Sequence, residues 1–394
     1  MLRRNERVLD NIPVGALGII ALDGCQEMGK RVNDYIVNWR REDSHEFKND
    51  VVFKGYERDN YLIDAKVPRF GSGEAKGIIG ESVRGKDLYL MVDVCNYNLT
   101  YSLSGHTNHM SPDDHFQNLK RMIAAVGGKG RRINVIMPFL YESRQHKRSS
   151  RESLDCALAL QELVRMGVEN IITFDAHDPR VQNAIPLSGF ETVSPTYQFI
   201  KGLLRTVDDL KIDAEHMMAI SPDEGGTNRA VYLANVLGLD MGMFYKRRDY
   251  TRIVDGRNPI VAHEFLGSSV EGKDVIIIDD MISSGDSIID VATELKKRKA
   301  KRIYAAATFG LFTNGLDKFD KAYESGIING ILTTNLIYQT PELLSKPYYI
   351  NCDMSKYIAL IVDTLNHDGS ISSILSPNAR IQNVVRKYKN GEQI

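Results

Sequence analysis

From about residue 130 onward, short apolar runs alternate with stretches of helical period. The runs are Ile133–Phe139, Ile171–Asp175, Met217–Ser221, Val275–Asp279, Arg302–Thr308 and Ile331–Thr334. Runs this uniformly apolar suit strands of a parallel sheet covered on both faces, where neither side of a strand meets water. Between them, Leu154, Ala157, Leu158 and Leu163 share a rough face of Glu152–Met166, and Ile289, Ala292 and Leu295 recur at helical spacing in Asp286–Lys296. Alternation of this kind predicts doubly wound α/β domains with mostly parallel sheets. Gly15–Leu22 reads as a strand or strand-turn, and Glu42–Asp50 as a polar loop or insertion. The C-terminal stretch reads as one amphipathic helix (Tyr357, Ile358, Ile361, Leu365) and a polar tail. A chain of 394 residues suits two main domains. The expected boundaries are 1–195, 196–350 and a terminal helix and tail over 351–394.

Composition narrows the function classes. Fifty Lys and Arg stand against fifty-one Asp and Glu, a formal net charge of −1. That balance excludes a generic nucleic-acid coat or a polybasic membrane binder, both of which need a positive field. It leaves small phosphorylated ligands open, since those need only a local pocket of positive charge. No apolar run approaches the ~18 residues of a membrane span, and no signal-peptide core comes after Met1–Arg7. Cys25, Cys95, Cys156 and Cys352 lie far apart with no CxxC and read as free thiols of a reducing cytoplasm.

In an open parallel sheet, ligands sit beyond the carboxyl ends of the strands. The segments after the predicted strands here are polar and suited to phosphate. They are Arg144-Gln145-His-Lys-Arg148, Asp175-Ala-His177, Ser221-Pro-Asp223-Glu-Gly-Gly226, and Asp279-Asp280-Met-Ile-Ser283-Ser284-Gly285-Asp286-Ser287. The last is the sharpest. A buried strand ends in two adjacent carboxylates, and a turn of small residues then opens a helix. Successive backbone N–H groups in such a turn, with the helix N-terminus, form an anion cradle. Ser283, Ser284 and Ser287 add hydroxyls, while Asp279 and Asp280 can accept from sugar hydroxyls. The plainer reading is an ordinary strand-to-helix connection with Ser and Asp as caps.

Val275–Ser287 resembles the sugar-phosphate loop of phosphoribosyltransferases. Other stretches resemble, in order, the ribose-phosphate diphosphokinase (phosphoribosyl-diphosphate synthetase) family. They are Arg69-Phe70-Gly-Ser-Gly73-Glu74, Ser82-Val-Arg84-Gly-Lys-Asp87, Met137–Gln145 ending in Arg-Gln, Asp175-Ala-His177, Ser221–Gly226 and Lys246-Arg247-Arg248. The first sixty residues and the stretch around Ser104–His115 fit poorly and read as insertions.

The resemblance implies two similar phosphoribosyltransferase-like domains, an ATP-side one and a ribose-5-phosphate-side one. It implies a cytoplasmic transferase for nucleotide biosynthesis, moving the diphosphoryl group of ATP to the 1-hydroxyl of ribose 5-phosphate. Lys246 and Arg248 are implied as transition-state cations. Arg144 and Gln145 are implied for ATP, with Phe70 and Glu74 meeting the adenine from a neighbouring subunit, and Asp279, Asp280, Ser283, Ser284, Gly285, Asp286 and Ser287 are implied for ribose 5-phosphate. His177 and Asp223 are implied as holders of magnesium (Mg2+), and a homo-oligomer built from dimers, commonly a hexamer, is implied as the assembly. Each residue has a plainer reading too: His177 as a core or capping histidine, Asp223 as a helix cap, and Lys246–Arg248 as a solvated charge run. The polar residues from there to Lys273 read as a lid. Three positions depart from the family pattern: Ser72, Ser283 and Asp286 replace its usual Asp, Asp and Gly. A non-catalytic regulatory subunit and a phosphoribosyltransferase are the competing readings. The second leaves the Arg-Gln, Asp-x-His and Ser-Pro-Asp motifs without a role.

Overall fold

All six apolar runs form strands, in a computed structural model that describes residues 12–47, 56–248 and 260–394. The chain divides into two units. One holds Met1–Ser194, Leu336–Tyr338 and Asp353–Ser376; the other holds Pro195–Asn335, Gln339–Cys352 and Pro377–Ile394.

The first unit contains β1 (Ala16–Ala21), α1 (Gln26–Phe47), β2 (Lys86–Met91), α2 (Pro112–Val126), β3 (Arg132–Ile136), α3 (Asp155–Arg165), β4 (Asn170–Phe174) and β5 (Gly189–Val193). Its five strands lie in the order β1-β2-β3-β4-β5, all parallel. Gly15–Leu22 is thus an edge strand. Glu42–Phe47, expected as loop, continues α1; the rest of that expected loop, 48–50, lies outside the described residues. α1 packs on a helix at Ser355–Asn366 through a charged contact. The buried Arg40 Nε is 3.0 Å from Asp363 Oδ1, and its Nη2 is 2.7 Å from Asn366 Oδ1. Its guanidinium lies over the rings of Tyr56 and Tyr61. Asn366 passes the network to Asp87, which forms a two-pronged pair with Arg132 at 2.8 and 2.9 Å. Every charge in this buried set is paired, the condition under which burial is tolerated.

The second unit contains α4 (Thr196–Thr206), β6 (Met217–Ser221), α5 (Thr227–Leu237), β7 (Asp240–Arg248), β8 (Ile260–Leu266), β9 (Asp274–Ile282), α6 (Asp286–Lys297), β10 (Arg302–Gly310), α7 (Asp317–Glu324), β11 (Gly330–Thr334) and β12 (Tyr349–Cys352). The strand order is β8-β7-β6-β9-β10-β11-β12, with only the β7–β8 pair antiparallel. Successive side chains of β9 enter opposite cores. Val275 and Ile277 pack with Ile288, Val291 and Leu295, whereas Ile276 and Ile278 pack with Phe199, Leu203 and Leu233. Burial on both faces is the reason that run is uniformly apolar.

Two further expectations are corrected. The stretch after Arg248 is not all loop, because Ile260–Leu266 pairs with β7 and Phe265 packs on Phe244. The tip of the expected lid, 249–259, lies outside the described residues. The polar tail contains a further helix, Asn378–Lys389, which buries Ile381, Val384 and Val385 in the second unit.

Candidate active site

In the second unit, β6 and β9 are neighbours, so the segments leaving their carboxyl ends come together. Asp279 and Asp280 close the apolar part of β9. Asp280 is buried, with Arg229 of the first α5 turn 3.9 Å from its Oδ2. Asp279 Oδ1 accepts the Asp280 amide at 2.9 Å. Burial, the Asp280 carboxylate and the nearby Asp223 all push the Asp279 carboxyl up from its ordinary range. Two adjacent carboxyls at one strand end thus disfavour each other's charge, and their oxygens stand side by side as hydrogen-bond partners for hydroxyl groups.

Asp223 lies just past β6. Its Oδ1 accepts the amides of Gly225 and Gly226 at 2.9 and 3.2 Å, just ahead of α5. These bonds close a turn ahead of the helix and are not a cap, since α5 starts after Gly226 with no side-chain cap. Among the described residues its Oδ2 has no hydrogen-bond partner, which leaves one hard oxygen donor suited to a divalent cation.

Ser283–Ser287 connects β9 to α6, and α6 starts without a side-chain cap. Gly285 at the helix start has φ +85°, and a Cβ there would lie 2.2 Å from Phe319 Cζ, so only glycine fits. Asp286 does not cap the helix. Its carboxylate accepts from Ser284 Oγ at 2.9 Å and pairs with Lys318 of α7, and these contacts hold its pKa below the usual carboxylate range.

In the first unit, β3 leads into a run of turns that leaves Arg144 and Gln145 exposed. Tyr141 anchors the run by stacking on Phe116 at 4.3 Å and donating to Asp113 at 2.6 Å. After β4, Asp175 adopts φ +42°, and the Ala176 amide donates to Thr192 Oγ1. His177 then sits 5.3 Å, ring to ring, from His146. His146 Nδ1 is buried with no partner among the described residues, and its Nε2 lies 3.5 Å from Asp178. An imidazole nitrogen unsatisfied beside His177 is compatible with a cation there.

Residues 69–74 form a tight turn in which Phe70 accepts from Gly73 and donates to Glu74 through the backbone. Arg69 holds it from below, reaching Gly73 O and Asp114 at 3.0 Å each and lying 4.1 Å over Tyr101. Gly73 has φ +88° with Leu103 directly against it. Tyr101 and Leu103 belong to a hairpin, Thr100–Leu103 with His106–His109, so the segment around 104–115 braces this turn. Phe70 is half exposed, and Ser72 Oγ donates to Glu74. Lys246 and Arg248 end β7, opposite His263 and Ile260 in the backbone register.

Sequence reasoning missed Arg229, His146, Lys318 and Asp93, each of which has a partner in a different segment of the chain. Asp93 lies two residues beyond β2. Burial pushes its carboxyl up to about 7, against the Cys95 and Tyr338 amides at 2.9 and 2.7 Å, which favour the charged form. An unfolded aspartate ionises near 3.9. Between about pH 4 and pH 7 the unfolded chain has released this proton and the native chain has kept it. Stability from this group therefore falls across that window as pH rises, and levels off above it. Asp93→Asn is expected to shrink the difference between urea midpoints at pH 5 and pH 7.5. An unchanged difference would contradict the buried protonated carboxyl.

Two family models match the chain. One, described as the N-terminal domain of ribose phosphate pyrophosphokinase, covers residues 17–167; the other, a phosphoribosyl transferase domain, covers 193–344. A ribose-phosphate pyrophosphokinase of Vibrio cholerae is 29% identical over 320 residues, 80% of this chain and 92% of that protein. The protein of the same description from Pasteurella multocida is 29% identical over 324 residues, with the same shares. A solved phosphoribosylpyrophosphate synthetase from Mycobacterium smegmatis matches at TM-score 0.70 and 20% identity, over 90% of this chain and 99% of that one. At that identity the likeness is one of fold. The first family match begins within β1, so the expectation that the first sixty residues are an insertion fails from residue 17 onward.

Proposed function

The chain belongs to the ribose-phosphate pyrophosphokinase family, and from that membership we propose that it transfers the β,γ-diphosphoryl group of ATP to the 1-hydroxyl of ribose 5-phosphate. The sugar O1 forms a bond to the β-phosphorus as the bond from that phosphorus to the α-phosphate oxygen breaks. AMP leaves, the hydroxyl proton is released, and 5-phosphoribosyl 1-diphosphate results, a precursor for nucleotide biosynthesis. Such transfers need in-line positioning and charge stabilisation more than covalent chemistry.

The observation that carries the reading is the end of β9: two adjacent carboxyls, followed by a short turn into a helix start without a side-chain cap. The sugar phosphate takes the amides of Ser283, Ser284, Gly285, Asp286 and Ser287 with the hydroxyls of Ser283 and Ser287, where the helix dipole favours an anion. Ribose hydroxyls donate hydrogen bonds, which the carboxyl oxygens of Asp279 and Asp280 can accept. On the first unit, Phe70 offers an exposed ring face to adenine, with Glu74, Arg144 and Gln145 completing the ATP contacts. Lys246 and Arg248 are assigned to the charge that develops on the transferred oxygens.

His177 and Asp223 are the residues assigned to hold magnesium. The unpaired Asp223 oxygen and the unsatisfied nitrogen beside His177 support that assignment. Bound there, magnesium would supply charge neutralisation across the polyphosphate oxygens. A homo-oligomer of dimers, hexameric in its full form, belongs to the same proposal, as does a cytoplasmic location for a chain with four free thiols.

A coupled assay for AMP from ATP and ribose 5-phosphate tests the reading. AMP formation that requires both substrates and magnesium is the expected result. No AMP above an ATP-only blank would favour a regulatory subunit instead.

A further inference from the structure

We propose that Lys318 is a positioning residue for ribose 5-phosphate: it neutralises Asp286 and, together with the Ser284 hydroxyl, holds that carboxylate in place beside the phosphate loop. The inference rests on the sugar-phosphate reading of residues 279–287. A carboxylate at the first residue of α6 poses a physical problem, since a phosphomonoester carries about −1.5 to −2 charges at neutral pH. An acid among the amides meant for it repels it. The loop already contains Asp279 and Asp280.

The structure supplies a remedy from outside the loop. α7 is locked against the loop by its third residue, Phe319, which is fully buried. The Phe319 ring lies where a Gly285 Cβ would be, and packs edge-on to Phe312 at 5.1 Å. That contact fixes the first turn of α7 beside the first turn of α6. Lys318, the preceding residue, pairs with Asp286 from this fixed position. Asp286 in turn accepts from Ser284 Oγ, so its two oxygens are committed to Lys318 and to the loop's own hydroxyl. The acid pair on β9 has its own cation in Arg229. Lys318 is therefore the cation that answers the loop's remaining acid.

Removing Lys318 restores a full negative charge beside the bound phosphate. At a distance of about 6–8 Å and a dielectric near that of water, as suits a solvent-exposed pair, that charge weakens binding roughly 3- to 10-fold. The geometry also explains why a solvent-exposed pair matters here. Such a pair adds little to folding, but its effect on a dianion in the adjacent cradle does not depend on its folding contribution.

Calorimetric titration with ribose 5-phosphate tests the proposal in a double-mutant cycle of the full-length protein. Lys318→Met should weaken binding about 3- to 10-fold, while Lys318→Arg, which keeps the charge, should stay within about twofold. Asp286→Asn in the Lys318→Met background should restore wild-type affinity, because no charge is left to neutralise. ATP affinity and the urea midpoint should not show this pattern, which separates positioning from a general structural loss. Lys318→Met binding as wild type overturns the inference alone. So does a double variant no better than Lys318→Met. Wild-type protein that binds ribose 5-phosphate no more tightly than ribose overturns this inference together with the sugar-phosphate reading.

Discussion

Lys246→Ala is expected to lower kcat by roughly 100-fold or more, the loss typical of removing a preorganised charge stabiliser. KM for ATP and for ribose 5-phosphate should change little. The reason lies in where the charge develops. A cation assigned to the transferred diphosphoryl group gains most when the bond to the α-phosphate oxygen breaks, and only interactions stronger in the transition state raise kcat. Lys246 stands near the end of β7, paired in register with His263 of β8, so its backbone is fixed by a ladder rather than by a loop alone. Steady-state kinetics with each substrate varied in turn give the answer. A variant with a raised KM and unchanged kcat would make Lys246 a ground-state ligand or a surface charge and would end the transition-state assignment.

Arg40→Ala is expected to cost about 3–5 kcal/mol of stability, the range for removing one partner of a buried pair. The side chain is fully buried, its pair with Asp363 is 2% exposed on both sides, and it serves Asn366 as well. Its loss takes a buried guanidinium away from the Asp363 carboxylate inside the first unit. Arg40→Met with Asp363→Leu should recover most of the loss, since an apolar replacement removes both charges. Urea unfolding monitored by circular dichroism reads this directly. A cost below about 1 kcal/mol for Arg40→Ala would mean that Asp363 finds water or another partner, and that the network does not hold α1 in place.

Arg40 also explains why the N-terminal region was unreadable. α1 buries Val32, Ile36, Val37 and Arg40, so one position on its inner face is a charge that hydropathy scores as surface. The partners that make it tolerable lie more than 320 residues away. The same limit hid the terminal helix, where three buried aliphatics are spread among Arg, Gln, Asn and Lys, and β8, whose run contains His263 and Glu264. The strands of the sheet centres were legible because burial on both faces leaves an unbroken apolar record. The site was legible where its residues come directly after a strand in sequence, as Asp279 to Ser287 do. It was not where a helix elsewhere in the chain supplies the partner, as Arg229 and Lys318 do. The turn at Arg69–Glu74 shows both cases: its motif is local, while its support from Tyr101, Leu103 and Asp114 is not.

ATP labelled at the β-phosphate, incubated with ribose 5-phosphate, magnesium and the protein, shows which phosphorus the sugar attacks. A diphosphoryl group that moves as a unit requires the bond between the α and β phosphates to break. The β label should then leave the nucleotide and appear in the sugar diphosphate, in equal amount with unlabelled AMP. Label retained in ADP, with a singly phosphorylated sugar position as the product, would mean ordinary phosphoryl transfer and would overturn the proposed reaction.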